Sequence, residues 1–354
     1  MIRHLLPLAE LEKAYGFIQK SSRLVILTHK SSDGDAVGST TALCQFVKTI
    51  QPAGATTKIV ILNELPPYLS WFPSLENAIF YDDNNELAIK TIEEADCIIC
   101  SDFNQPSRIG APLDACLLAN PCPKIMLDHH LKPESFTDVE FSYPDASSAC
   151  EVVFRFIYQI QTQILNTPFW LTKEMAISIY AGILTDTGAF SYNSNSPELF
   201  EMVGMLLNCQ IEKDVIYDRI FNTFSISRMR LFGYCLHKKM QINKTYHLSL
   251  IYLTHEELAR FNFQSGDLEG LVNYPLQIEK VYYSVLMRAD YNAENQPIVR
   301  LSFRSQGNRP VNEFAKKVFG GGGHLNASGG EFFGTIKEAL ALFKAEFPKY
   351  LQKK

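Results

Sequence analysis

The sequence predicts an α/β protein: an N-terminal domain built on a parallel sheet, then a smaller α+β domain, joined by a helical connector. Three observations predict it. Short continuous apolar runs at 23–28 (RLVILT), 58–62 (KIVIL), 96–100 (DCIIC) and 124–127 (KIML) read as strands buried on both faces. Segments with helical spacing separate these runs, as crossover connections in a parallel sheet require. Beyond residue 241 the alternation stops, and strand patterns cluster ahead of helical ones.

Leu8, Leu11, Tyr15 and Ile18 recur three or four residues apart, so 8–21 is expected as a helix. Residues 38–50 repeat that spacing, and 86–94 is a further helix. Ser148 with Glu151 three residues on resembles a capping box opening a helix over 148–160. Residues 197–241 read as largely helical, with Pro197 near a helix start. The expected organisation is a domain over 1–195, a connector over 196–241 and a second domain over 242–354. In the last, 247–253, 281–288 and 298–303 read as strands, and 311–319 and 335–346 as helices.

The chain has 354 residues, a net charge of −5 and 46% hydrophobic residues, more than one core usually fills. A charged fraction of 20% with 24 Phe and 16 Tyr excludes a disordered chain. No apolar run reaches the roughly 18–20 residues of a membrane helix. The start, MIRHLLPLAELEKAYG, is a poor secretory signal. Eight scattered cysteines fit a reducing cytoplasm better than a disulfide scaffold. The charge is divided: residues 1–225 carry 15 basic and 27 acidic side chains, and residues 226–354 carry 18 and 11. The acidic part suits cations and the basic part anions.

Four segments end an apolar stretch in Asp or His. The first is LVILTHKSSDGDAVGS, with His29, Asp33 and Asp35. The second is CIICSDFN, with Asp102. The third is KIMLDHHL, with Asp128, His129 and His130, and the fourth is IYAGILTDTGAF, with Asp186. Taken singly, each reads as a turn or helix cap. Together they occupy one topological position, because the carboxyl ends of parallel strands share one edge of the sheet. Carboxylates brought together there repel unless cations balance them. Mixed His and carboxylate donors without Cys suit Mn²⁺, with Mg²⁺, Co²⁺ or Fe²⁺ as competitors. A pair of such ions suits phosphoryl displacement.

These segments resemble the four motifs of the DHH phosphoesterases, and GGGGHLNASGG at 320–330 resembles the signature of their DHHA1 domain. The resemblance covers nearly the whole chain and is nearest to the short, stand-alone nanoRNase/pAp phosphatases of NrnA type. One departure is Ser32, where members often have Pro before the first motif Asp; loop stiffness should change more than metal binding. The resemblance implies that His29, Asp33 and Asp102 hold one metal. It implies that Asp35, Asp102, His129 and Asp186 hold a second, with Asp102 as the bridge. His130 would face the substrate phosphate, and Asp128 would orient a histidine from outside the ligand set. In the basic domain, the resemblance assigns Arg288, Arg304, Ser305, Gly321, Gly322, Gly323 and His324 to the substrate's phosphate or nucleotide, with Asn326 weaker.

Other features read as structural. Cys97 and Cys100 sit in a predicted strand, where residues three apart face opposite sides. Tyr68, Trp71 and Phe72 suit loop packing, with base stacking as the alternative. Lys316 and Lys317 suit a solvated helix face. Ser147 and Ser148 suit a helix cap, with a phosphate contact as the alternative.

The expected activity is Mn²⁺-dependent hydrolysis of short oligoribonucleotides to 5′ mononucleotides, or removal of the 3′-phosphate of adenosine 3′,5′-bisphosphate (pAp). Alternatives are cleavage of the linear dinucleotide pApA, an exopolyphosphatase, or a non-catalytic nucleotide-binding module. The 24 residues after Gly330 leave no room for an added OB-type module. Expected partners are short single-stranded RNA or small nucleotides. Long duplex nucleic acid, which rewards broad basic tracks, and membranes are not expected. A homodimer is left open, and the cytoplasm is the expected compartment.

Overall fold

The computed structural model describes residues 2–292 and 295–352, which divide into two compact units, Met1–Thr223 and Phe224–Lys354. In the first, β1 (Arg23–Leu27), β2 (Thr56–Ile61), β3 (Ala78–Phe80), β4 (Cys97–Ser101), β5 (Lys124–Asp128) and β6 (Val139–Ser142) form one six-stranded sheet. Its order is β3-β2-β1-β4-β5-β6, and every neighbouring pair is parallel. The chain winds outward from β1 to β3, then starts again at β4 beside β1. The switch point therefore lies between β1 and β4, where the loops following those two strands part and leave a crevice.

Helices cover both faces. On one side lie α1 (Leu8–Lys20) and α2 (Gly34–Ile50), while α3 (Asn85–Glu93) and α4 (Leu113–Ala119) cover the other. The first side continues with α5 (Ala149–Gln159), α6 (Lys173–Asp186), α7 (Pro197–Asn208) and α8 (Lys213–Phe221). The strands alternate between the two cores: Leu24 and Ile26 face one, Val25 and Leu27 the other. Cys97 and Cys100 are divided in the same way and fully buried, which pushes both thiols above their usual range. Helix α2 packs closely along α6. A Cβ on Gly182 would lie 2.2 Å from Cys150 Sγ and 3.0 Å from Asp35 Oδ1, so glycine is what lets α6 approach.

The second unit contains α9 (Ile226–Tyr234), β7 (Gln241–Asn243), β8 (Leu248–Leu253), α10 (His255–Arg260), β9 (Tyr283–Tyr291) and β10 (Pro297–Ser305). It ends with α11 (Asn312–Phe319), β11 (Gly322–His324), β12 (Ala327–Phe333) and α12 (Ile336–Leu351). Its sheet runs β11-β12-β10-β9-β8-β7 and is antiparallel except between β8 and β9. Helices α11 and α12 cover one face with a Phe-rich core, and α9 lies in the core on the other.

The helical stretch expected between the domains is shared out. Leu199, Met202, Leu206, Ile216 and Ile220 belong to the first unit's core, and Leu231, Phe232 and Cys235 to the second's. Three further departures have local causes. Helix α2 starts at Gly34 rather than 38, because the Asp33 side chain accepts from Asp35 N–H and Ala36 N–H. Strands β3 and β6 are too short for an alternation pattern to register, and the glycines of 320–323 enter a β-hairpin. At 148–151 the Ser148 hydroxyl accepts from Glu151 N–H, but the Glu151 carboxylate reaches Ser147 N–H instead of Ser148. Phe72 is core, Tyr68 and Trp71 pack against it, and Trp71 carries the Arg219 guanidinium 5.1 Å from its ring, the loop-packing arrangement.

Candidate metal centre

The crevice between β1 and β4 collects the predicted residues. His29 follows β1, Asp33 caps α2, and Asp35 sits in the first turn of α2. Asp102 follows β4 with φ 63°, a left-handed turn that Asp tolerates better than most residues. Its N–H donates to Leu127 O on neighbouring β5. Asp128 ends β5, His129 and His130 follow it, and Asp186 ends α6.

Asp102 stands in three triads of donor atoms; one joins it to Asp128 and His130, which are hydrogen-bonded to each other, and two contain only candidate ligands. Of these two, His29, Asp33 and Asp102 form one, and Asp35, Asp102 and His129 the other; within each, all ligand atoms lie within 4.8 Å of one another. Asp102 belongs to both. His29 Nε2 is 3.2 Å from Asp102 Oδ2. His129 Nε2 stands 3.8 Å from Asp35 Oδ2, 3.6 Å from Asp102 Oδ1 and 3.6 Å from Asp186 Oδ2. Most of these separations are too long for hydrogen bonds.

The histidine tautomers follow from their other nitrogens. His29 Nδ1 lies 2.9 Å from Lys30 O, and His129 Nδ1 lies 3.4 Å from Ala146 O. A carbonyl only accepts, so the proton sits on Nδ1 and the Nε2 lone pair turns inward. His130 differs: its Nδ1 and its backbone N–H both donate to Asp128, each at 2.7 Å. Asp128 is fully buried. Burial pushes its carboxyl up, but the bonds and charge from His130 outweigh this and hold it below the usual range.

The remaining carboxylates are not balanced. Asp35 accepts from Ala149 N–H and Cys150 N–H at the start of α5, yet burial and then the charge of Asp186 push it up to about 7. Burial, then Asp35 and Asp33, raise Asp102 well above the usual carboxylate range. Buried Asp102 Oδ1 has no hydrogen-bond partner. Burial pushes His130 down to about 4 and also lowers His29. Neutral imidazoles, an orphaned carboxylate oxygen and converging acids are the chemistry of a cation site, so these residues fit divalent metal.

In the second unit the predicted substrate residues scatter along three strands, β9, β10 and β11. Arg304 and Ser305 end β10 but alternate in direction. Ser305 lies on the core side, 7% exposed with its hydroxyl unpartnered, and Arg304 on the half-buried side. Arg288 pairs with Arg300 in the β9–β10 register, four residues from Arg304. Its guanidinium is 3.1 Å from Asp290, which Arg300 also approaches at 2.6 Å. Gly321 and Gly323 are required by the hairpin itself: a Cβ would fall 1.8 Å from Gly329 O and 2.5 Å from Ala327 O. On the open side of the hairpin, a Cβ on Gly322 would meet nothing within 4 Å. His324 ends β11 opposite Ala327. Asn326 donates to Gly307 O, and Lys316 and Lys317 are exposed.

Sequence reasoning missed two contributors. The Ala146 carbonyl accepts from Asn193 Nδ2 at 3.2 Å while facing His129 Nδ1. Nothing in the sequence ties 146 to 193 or 129. The other is Arg108, in the loop that leaves β4; it is the sole Lys or Arg between Lys90 and Lys124, a signal that was available.

Comparison with known proteins places these features. The profile of the DHH family, N-terminal domain, matches residues 23–183, spanning every strand of the first sheet and five of its six proposed metal-site positions. A bifunctional oligoribonuclease and PAP phosphatase NrnA from Thermus thermophilus is 26% identical over 86% of this chain and 83% of its own. A probable protein of the same name from Streptococcus mutans is 27% identical over 88% of this chain and 90% of its own. The solved structure of an exopolyphosphatase-related protein from Bacteroides fragilis is 39% identical, covers all of both chains and superposes with a TM-score of 0.87. No helix among the described residues is long and apolar enough to cross a membrane. With the motifs, the fold and full-length relatives in agreement, the chain belongs to the DHH family and is a phosphoesterase.

Proposed function

We propose that the protein is a Mn²⁺-dependent enzyme that releases 5′ mononucleotides from short oligoribonucleotides and removes the 3′-phosphate of pAp. The observation that carries this reading is the shared carboxylate: Asp102 stands in both triads of candidate ligands, as the bridge of a two-metal site must. The names of the Thermus and Streptococcus relatives support the substrate class.

In this reading His29, Asp33 and Asp102 hold one cation, and Asp35, Asp102, His129 and Asp186 the other. Such a pair supplies a hydroxide nucleophile near neutral pH and neutralises phosphoryl charge. Donors of nitrogen and oxygen without thiolate favour Mn²⁺, with Mg²⁺ or Co²⁺ as substitutes. His130 keeps its Nδ1–H on Asp128, so Nε2 faces the substrate. An arriving phosphate favours the protonated ring, which passes that proton to the leaving oxygen. Arg288, Arg304, Ser305, the amides of Gly321–Gly323 and His324 bind the terminal phosphate or nucleotide. Eight free cysteines favour a reducing cytoplasm.

A Mn²⁺ assay comparing an RNA dinucleotide, a 5-mer, pApA, pAp and polyphosphate, with an EDTA control, tests the reading. Mononucleotides from the RNAs and phosphate from pAp are expected. Strong preference for pApA would move the substrate to opened cyclic dinucleotides. Activity on polyphosphate alone would favour the second reading, suggested by the name of the Bacteroides relative, and overturn the nucleotide clamp.

A further inference from the structure

Five carboxylates line or border the proposed metal site, and one cation beside them pairs with none. Arg108 lies six residues beyond Asp102, in the short helical turn Pro106–Ile109. Its position is set by the backbone: Arg108 N–H donates to Gln105 O at 3.0 Å, and Arg108 O accepts from Lys30 N–H at 2.8 Å. The second bond ties the loop after β4 to the loop after β1 across the switch point, so Arg108 is anchored beside both His29 and Asp102.

Arg108 is half-buried. Among the described residues, no carboxylate lies within 4.0 Å of it and it makes no side-chain hydrogen bond, so its donors remain unused. Four other arginines are paired with carboxylates. Arg3 and Arg155 share Glu198, and Arg288 and Arg300 share Asp290. An arginine near these acids that pairs with none of them has its fork open to another anion. Its charge reaches the site nonetheless. After burial, Arg108 is the next cause lowering His29, and it also lowers His130 and helps hold down Asp33. Its backbone tether to Lys30, the residue after His29, is the geometric reason that its charge is felt there.

We propose that Arg108 is a catalytic residue of this phosphoesterase: its guanidinium donates to the non-bridging oxygens of the reacting phosphate and stabilises their charge in the transition state. This rests on the two-metal reading above. As hydroxide oxygen bonds to phosphorus and the ester P–O bond breaks, charge spreads over the non-bridging oxygens. A preorganised arginine in a site screened from water is worth roughly 10²–10³-fold in kcat there. The proton goes to the leaving oxygen from His130, and Arg108 stays charged throughout.

The test uses the full-length protein and two variants, Arg108→Ala and Arg108→Lys, with three readouts: Mn²⁺ affinity by calorimetry, binding of inorganic phosphate to the Mn²⁺-loaded protein, and kcat and KM on pAp and an RNA dinucleotide. Removing a cation beside a cation site has a fixed sign. Arg108→Ala should bind Mn²⁺ as tightly as wild type or roughly 2–10-fold tighter, bind phosphate about 10–100-fold more weakly, and lose kcat more than KM. Arg108→Lys should restore the charge effect on Mn²⁺ affinity but only part of kcat, because lysine lacks the planar fork. A loss of Mn²⁺ affinity in both variants would make Arg108 a structural brace of the two loops and overturn the proposal. Phosphate binding and kcat at wild-type levels in Arg108→Ala would also overturn it, with the metal site untouched. Should wild type hydrolyse neither nucleotide, the substrate reading falls on its own, and phosphate binding still decides the role of Arg108.

Discussion

Helix α5 touches two buried charge clusters, and they are balanced in opposite ways. At its start, Ala149 N–H and Cys150 N–H donate to Asp35, which belongs to a group of acids raised by burial and by one another. One turn on, Glu151 and Arg155 join Glu198 and Arg3 in a network where each carboxylate meets a guanidinium. There, burial pushes Glu198 up, but its bonds to Arg155 and Arg3 outweigh this and bring it down to about 2. The two clusters show how charge separates tasks. The satisfied network holds α5, α7 and the N-terminal segment together by itself. The unsatisfied one is complete only with a ligand of opposite charge. The clusters are linked, because Glu151 also binds Ser147 N–H, beside the Ala146 carbonyl that faces His129.

The largest effect that would break this comparison is at Asp102. Asp102→Ala should lower kcat/KM at least about a thousand-fold and remove high-affinity Mn²⁺ binding, while metal-free thermal stability stays level or rises as repulsion is relieved. Near-normal turnover in that variant would remove Asp102 from the bridge. Next comes the satisfied cluster. Glu198→Ala leaves Arg155, 3% exposed, with Glu151 alone, and should cost about 3 kcal/mol in denaturant unfolding with Mn²⁺ affinity unchanged.

That cluster also has a defined pH sign. A carboxyl whose folded pKa is depressed from 4.5 to about 2 contributes stability that is fully present above about 4.5. The contribution is lost as pH falls from there toward 2. Acid unfolding of wild type and Glu198→Gln should therefore converge below pH 2 and diverge above 4.5; parallel curves would refute the assignment.

The smallest effect sharpens the same contrast in the second unit. Arg288 is engaged by Asp290, whereas the Arg304 guanidinium donates to the Phe303 carbonyl at the end of its own strand. Arg304→Ala should raise KM for nucleotide roughly 10-fold with kcat little changed. Arg288→Ala should affect KM less and unfolding more, and the reverse order would move the clamp to Arg288.

Much of the site could be read in advance, for an identifiable reason. Its acids and histidines stand at the ends of strands, and parallel strands bring their carboxyl ends to one edge whatever the packing detail. Arg108 stood in the same loop as Asp102 and went unread, although its isolation between Lys90 and Lys124 was visible, because isolation does not say what a side chain faces. The Ala146 carbonyl could not be read at all, since a backbone acceptor has no residue type. In the second domain Arg304 and Ser305 are adjacent in sequence, but neighbours in a strand point to opposite faces, so only the structure separates the half-buried Arg304 from the core-facing Ser305. The glycines at 321 and 323, assigned to the substrate by resemblance, are also needed by the hairpin for close approach, which the sequence did not show.

The sequence by itself determined the alternation of strands and helices, the division of charge and the residue types of a divalent-cation site. These follow from burial periodicity and donor chemistry, which are local properties. Only the tertiary structure decided that Asp102 joins both triads, which nitrogen of each histidine turns inward, that Asp35 rests on the start of α5, and that Arg155 is balanced while Arg108 is not. Each of these depends on contacts between residues far apart in the chain. The fold sets those distances, and the balance of charge follows from them.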